Sequence, residues 1–396
     1  MIKLKTSASF RAVAKVGLIL NIYVNLTLRQ PTHSTILTWV KKIGVYQLKK
    51  SKEKSDDWVL IIDESIQIGQ EKLLVIMGVQ LSKIDFTRPL QYGDLTPLCS
   101  MSRSTWPAED ISLIIDELKK ELGEVIYLLS DCGKNLKKTA ILQEIEHIPD
   151  ISHWFACILK SIYAGNKEFQ EFCTSMAQIR LRLCCTSIAH IIPPKQRIDS
   201  RFMNIKSLSD WAVVALKVTG QMTGELSQDQ QRIKVELSWL EAKRNLIHEI
   251  DAIMKINNEI MKLLKHKGLT HVTIKRCISK LDKFKSGNLA IYAHKVKEYF
   301  SIVIGKVKKQ ALLITSDIIE SAFGKYKNYL SSNKMIGITD LALCIPAFTF
   351  DLECKDEIKK ALETISTKEL RQWSDLNIGK TLMKRRKETF KEIKRV

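Results

Sequence analysis

The spacing of apolar positions changes along this chain, and each change marks an element. From Ser9 the apolar residues fall at helical spacing, and Pro31 halts that run. Thr32 stands where a helix N-cap belongs. Ile36, Trp39, Val40 and Ile43 then repeat at i, i+3, i+4 and i+7, with Gly44 as the expected stop. Leu48 to Asp57 is rich in Lys and Ser with no apolar period and reads as a linker. Trp58 to Ile62 switches to an unbroken aliphatic run, the pattern of a strand buried on both faces, and Lys72 to Leu81 supplies a second strand beside it.

Pro89, Gly93 and Pro97 mark turns around a third strand at Leu95 to Met101. Pro107 opens a helix whose buried stripe is Ile111, Ile114, Ile115, Leu118 and Leu122, closed by Gly123. Glu124 to Ser130 is another apolar strand. Helices are expected at Leu136 to Glu146 and Trp154 to Tyr163. From Gly165 to Tyr299 the pattern is helical throughout, including a long amphipathic piece from Gln228 to Lys267 that Gly268 ends. Ser316 caps a further helix with Ile319, Ala322, Phe323, Tyr326 and Leu330 on its apolar face. Strands alternating with helices, then a long helical stretch, give an α/β chain with an all-α domain inside it.

Composition sharpens this. The chain has 396 residues and 45% hydrophobic content, enough for two or three domains. Its net charge is +20, spread along the chain, which favours a polyanionic partner, either nucleic acid or an acidic membrane surface. Lys380 to Arg395 is the densest basic stretch, suited to backbone phosphates. Nine cysteines, odd in number and without a C-x-x-C pair, read as reduced thiols of a cytoplasmic protein. The apolar run near Val16 to Val24 is broken by Asn21 and has no small-x-small cleavage site. No segment reaches the ~20 apolar residues that span a bilayer, so no membrane role is expected.

The candidate chemistry is acidic. Two apolar strands each run into an aspartate, Asp63 and Asp131. Such a residue either starts a turn by bonding backbone N–H groups or holds a cation. Side by side in one sheet, both carboxylates emerge at one edge, where they repel unless a cation such as Mg²⁺ lies between them. On the late helix, Glu320, Gly324 and Lys327 share an edge, either as a solvated weak ion pair or as a metal and phosphate contact. The polar side of the helix after Pro31 carries Thr32, His33, Ser34, Thr38, Lys41 and Lys42. That is the side of an ordinary surface helix, or of one lying in a DNA major groove as the second helix of a helix-turn-helix.

Taken together, Ile61-Ile62-Asp63-Glu64-Ser65-Ile66-Gln67-Ile68-Gly69, Leu129-Ser130-Asp131-Cys132-Gly133 and Ser316 to Lys325 resemble a DDE transposase of a bacterial insertion sequence. Asp150-Ile151-Ser152-His153 and the run Arg197 to Asn204 add to the likeness. The resemblance implies a ribonuclease-H-like mixed sheet with flanking helices, interrupted by the all-α insertion and preceded by the helix-turn-helix. The implied segments are 1–55, 56–164, 165–300 and 301–396. It implies that Asp63, Asp131 and Glu320 hold two Mg²⁺ or Mn²⁺ ions for phosphodiester cleavage and strand transfer. Arg197, Arg201, Lys325 and Lys327 would join the helix-turn-helix residues as DNA contacts. Where some relatives place a Tyr and an Arg before the glutamate, this chain has Leu313 and Ser316. Relatives carry more sequence ahead of the first helix, which implies a shortened copy. Double-stranded DNA is the implied partner, the terminal repeats and the target alike. A homodimer on paired ends and a cytoplasmic, nucleoid-associated protein are implied with it. Two other readings stay open: a ribonuclease-H-like nuclease without strand transfer, and a non-catalytic DNA-binding regulator.

Overall fold

The computed structural model describes residues 1–24, 29–66, 69–198, 200–306, 311–330 and 336–393. The motif residues Gln67 and Ile68, Asp199, and the last basic residues 394–396 lie outside them. The chain forms two compact units: Met1–Asp150 with Thr315–Val396, and Ile151–Ile314.

The first unit begins with α1 (Ile2–Lys5), α2 (Phe10–Tyr23) and α3 (His33–Lys49), followed by strands β1 (Ser55–Ile66), β2 (Lys72–Gln80) and β3 (Thr96–Arg103). Helix α4 (Ala108–Leu122) leads into β4 (Gly123–Ser130), and α5 (Lys134–Leu142) into β5 (Glu146–Pro149). The second unit holds α6 (Ile151–Tyr163), α7 (Lys167–Leu183), α8 (Ile205–Gln221), α9 (Gln228–Leu237), α10 (Arg244–Lys267), α11 (His271–Leu281) and α12 (Gly287–Lys306). The chain returns to the first unit with α13 (Asp317–Leu330), α14 (Cys344–Phe348), α15 (Lys355–Thr364), α16 (Thr367–Asn377) and α17 (Leu382–Ile393).

The five strands form one sheet in the order β3-β2-β1-β4-β5. β2 is antiparallel to both β1 and β3, whereas β4 is parallel to β1 and to β5. Side chains alternate between the two faces. Trp58, Leu60 and Ile62 join Ile111, Ile115, Leu128, Leu136 and Ala140 in a core under α4 and α5. Val59, Ile61, Tyr127 and Leu129 fill the other face and are fully buried. There α13 packs against β1, while α3 and α14 pack against β3 and each other.

Several expectations change. β1 begins at Ser55 and runs to Ile66, so Asp63 lies inside the strand. The cause is uneven pairing: antiparallel pairing with β2 continues to Ile66, while the parallel partners toward β4 stop at Ile62 and Ser130. The expected linker is thereby shortened at both ends. Helix α3 does not stop at Gly44. That glycine is buried at the crossing with Leu343, whose carbonyl a Cβ there would strike, so it permits close approach and does not cap the helix. Helix α5 ends at Leu142, short of the expected Glu146, Glu144 adopts a φ of 53°, and an unexpected short strand, β5, begins at Glu146. Gly123 has a φ of 94° with Ser55 against it, which only glycine accommodates, and α4 therefore passes straight into β4. In the helical unit the long amphipathic piece is two helices, α9 and α10, joined by a 3-10 turn at Ser238–Lys243. Gly268 ends α10 as the pattern indicated.

Candidate active site

The register places the first two acids. Ile61 pairs with Leu129 and Ile62 with Ser130 across the parallel β1–β4 junction. Asp63 lies one residue beyond the last position of β1 paired with β4, and Asp131 one residue beyond that of β4, so both stand at the same end of neighbouring strands. The junction is also where the connections leave in opposite directions, β1 toward β2 and β4 toward β5. In open α/β sheets ligands collect at such a crevice.

Each carboxylate has a local anchor. Asp63 Oδ1 accepts the N–H of Glu64 at 2.7 Å. Asp131 Oδ1 accepts the N–H of Gly133 at 2.8 Å, and a Cβ at that glycine would lie as close to the same oxygen. Glu64, one residue on, faces the other side and pairs with Lys72 at 2.9 Å. Glu64, Lys72, Asp131, Lys134 and Asn135 line a cleft of about 350 Å³ at this end of the strands.

Glu320 sits in the first turn of α13, and several bonds hold that helix in place. The backbone N–H of Ser316 donates to Asp150 Oδ2 at 2.6 Å, and the Ser316 hydroxyl donates to the same oxygen at 3.0 Å. Asp150 is wholly buried, and its own N–H donates to the Ser130 carbonyl at 2.7 Å. A single residue thus ties the start of the Glu320 helix to the strand tip that precedes Asp131. Further along, the hydroxyls of Ser321 and Tyr92 bond at 2.8 Å, and the Tyr329 hydroxyl donates to the Lys3 carbonyl at 2.8 Å. Among the described residues no three His, Cys, Asp or Glu side chains form a group that could hold one metal ion. The donor set is three hard oxygen ligands, the type that suits Mg²⁺, but their side chains are not drawn into a cage.

The other expected site residues divide. Lys327 is exposed on α13. Lys325, expected at a phosphate, turns into the protein: its ammonium donates to the Leu4 carbonyl and lies 4.3 Å from the Phe348 ring centre, and burial pushes its pKa down. Lys41 bonds Asp340 at 2.7 Å and Lys42 bonds the Leu362 carbonyl at 2.9 Å, so these two cations of α3 serve the fold. Thr32, His33 and Ser34 remain exposed at the start of α3, where the Thr32 hydroxyl caps the Thr35 N–H at 3.2 Å; Thr38 is half-buried. In the helical unit Arg197 is exposed, and Arg201 is half-buried with its Nε bonded to no described residue. Sequence reading named Asp150 within a motif but gave it no role, and it gave none to Lys72 and Lys134. The signal for Asp150 was present, since a lone carboxylate between an apolar strand and an apolar helix is buried and must be bonded.

A mixed five-stranded sheet in this order, with helices on both faces and a helical unit inserted before the last core helix, is a ribonuclease-H-like fold. No protein-family model matches the chain, and no curated protein matches it. Among solved structures the chain is similar to a Drosophila P element transposase strand transfer complex, at 10% identity and a TM-score of 0.40, over 89% of this chain and 93% of that one. So distant a likeness carries no weight for function. Among the described residues no helix is long and apolar enough to cross a membrane.

Proposed function

We propose that this protein is a Mg²⁺-dependent polynucleotidyl transferase of the DDE type, a DNA transposase that uses Asp63, Asp131 and Glu320. The observation that supports the reading is the β1–β4 pairing, which ends at Ile62 and Ser130, one residue short of Asp63 and Asp131, with α13, which bears Glu320 in its first turn, packed against β1. When bound, the divalent ions supply an activated oxygen nucleophile and neutralise charge on the phosphate. The protein's part is positional. Gly133 N–H orients Asp131, Asp150 fixes the start of α13, and Lys134, exposed at the mouth of the cleft, attracts the phosphodiester.

Purified protein and its Asp63→Ala variant, incubated with duplex DNA and Mg²⁺, test the reading. Wild-type protein is expected to nick the duplex and to join a free 3′-OH end to a second duplex. The variant is expected to lose at least about a hundredfold in rate, roughly 2.7 kcal/mol of transition-state stabilisation. Nicking without joining would leave a nuclease, and nicking that survives in Asp63→Ala would overturn the assignment.

A further inference from the structure

We infer that a cationic groove between α10 and α11, in the helical unit, is a binding site for the phosphate backbone of duplex DNA. The groove has a volume of about 920 Å³. Its lining includes Lys262 from α10 and Lys275, Arg276, Lys280 and Lys283 from α11 and the turn after it. These five Lys and Arg face a single acid, Glu259, and that acid is bonded to Lys280 across the groove. The arrangement follows from two helical stripes. α10 buries Ile253, Ile260 and Leu264, and its neighbouring stripe, Glu259, Lys262, Leu263 and His266 at i, i+3, i+4 and i+7, lines one wall. α11 buries Ile274, Cys277 and Leu281, and its opposite side forms the second wall. Lys262, Lys275 and Arg276 are exposed and make no ion pair among the described residues.

Cations on two facing walls, with almost no acid to neutralise them, cost self-repulsion that a folded protein ordinarily relieves with interspersed carboxylates. The rest of this unit does so, as the Lys243–Glu171, Lys297–Asp282 and Arg182–Glu236 pairs show. A polyanion relieves the groove instead. A membrane surface is flat and is gripped by exposed apolar side chains beside the cations. Leu263 is the one aliphatic side chain among the described residues lining this groove, so that grip is lacking. The choice of DNA over RNA rests on the reading of the carboxylate site; the groove and its charge do not.

The test measures anisotropy of a labelled duplex of arbitrary sequence with the full chain, across a range of salt. The variant is Lys262→Ala/Lys275→Ala/Arg276→Ala. The control is Lys195→Ala/Lys217→Ala/Arg232→Ala, which removes the same charge from exposed positions of the same unit outside the groove. Three lost phosphate contacts lower the slope of log affinity against log salt by about 2.7 and weaken binding by about tenfold or more at moderate salt. The control is expected to change both far less. Equal losses in the two variants would show that only net charge matters and would overturn the groove. So would unchanged binding in the groove variant, or a loss confined to anionic vesicles or to duplex RNA. Asp63→Asn separates the two readings: wild-type and Asp63→Asn proteins that bind DNA alike and never cut it would sink the carboxylate reading and leave the groove standing.

Discussion

The two units use charge in opposite ways. The sheet unit places carboxylates just past the apolar stretches of two neighbouring strands, Asp63 after Ile61-Ile62 and Asp131 after Leu129-Ser130. There both acids are half-buried, and partial burial makes a charge more costly than it is in water. The helical unit places cations on the outer stripes of amphipathic helices, where water solvates each one, and gathers them in one groove. A costly charge at a strand junction is an argument for chemistry, and solvated charges gathered on a surface are an argument for binding. If that division holds, variants in one unit remove cutting without touching binding, and variants in the other do the reverse.

The largest expected effect is on Asp131→Asn. Cutting falls by at least about a hundredfold while duplex affinity stays within about twofold, because the groove is untouched. An equal loss of binding, read by anisotropy, would break the division. Next comes Asp150→Ala. It strips partners from the buried Ser316 N–H and hydroxyl, each costing about 1–3 kcal/mol when unsatisfied. Denaturant unfolding should show that loss in the sheet unit, and Asp150→Asn, which keeps an acceptor, should recover much of it. Gly44→Ala should cost about 1–3 kcal/mol, because its Cβ meets the Leu343 carbonyl. Gly324→Ala, with nothing near its Cβ on α13, should instead stabilise by about 0.5–1 kcal/mol. If it also slows cutting, the edge it shares with Glu320 faces the substrate.

The smallest effect is on pH. Ser366 and Lys49 hold the Glu369 carboxyl down to about 2 from its ordinary 4.5. Its contribution is therefore complete above 4.5 and lost as pH falls through about 2. The difference in unfolding midpoint between wild type and Glu369→Gln should shrink over that window. A difference that grows on acidification would reverse the sign.

Strands β1 to β4, the helix bearing Glu320 and the end of α10 at Gly268 could be read from the sequence because period and punctuation agree there. Reading failed where distant parts of the chain decide. Gly44 looks like a cap until Leu343 is placed against it, and Lys41, Lys42 and Lys325 look like DNA contacts until Asp340, Leu362 and Leu4 take them up. Four-residue β5 has too few positions to show a period, yet it carries the chain to Asp150. The two aspartates were legible as strand-end acids. That their strands are neighbours was not, because pairing between distant parts of the chain leaves no mark on either strand alone.

Whether three acids share divalent ions can be read by Mn²⁺ titration followed by electron paramagnetic resonance, with duplex DNA present. Asp63→Asn, Asp131→Asn and Glu320→Gln should each weaken Mn²⁺ binding by about tenfold or more. If Glu320→Gln binds Mn²⁺ as the wild-type protein does, the three acids do not form one site.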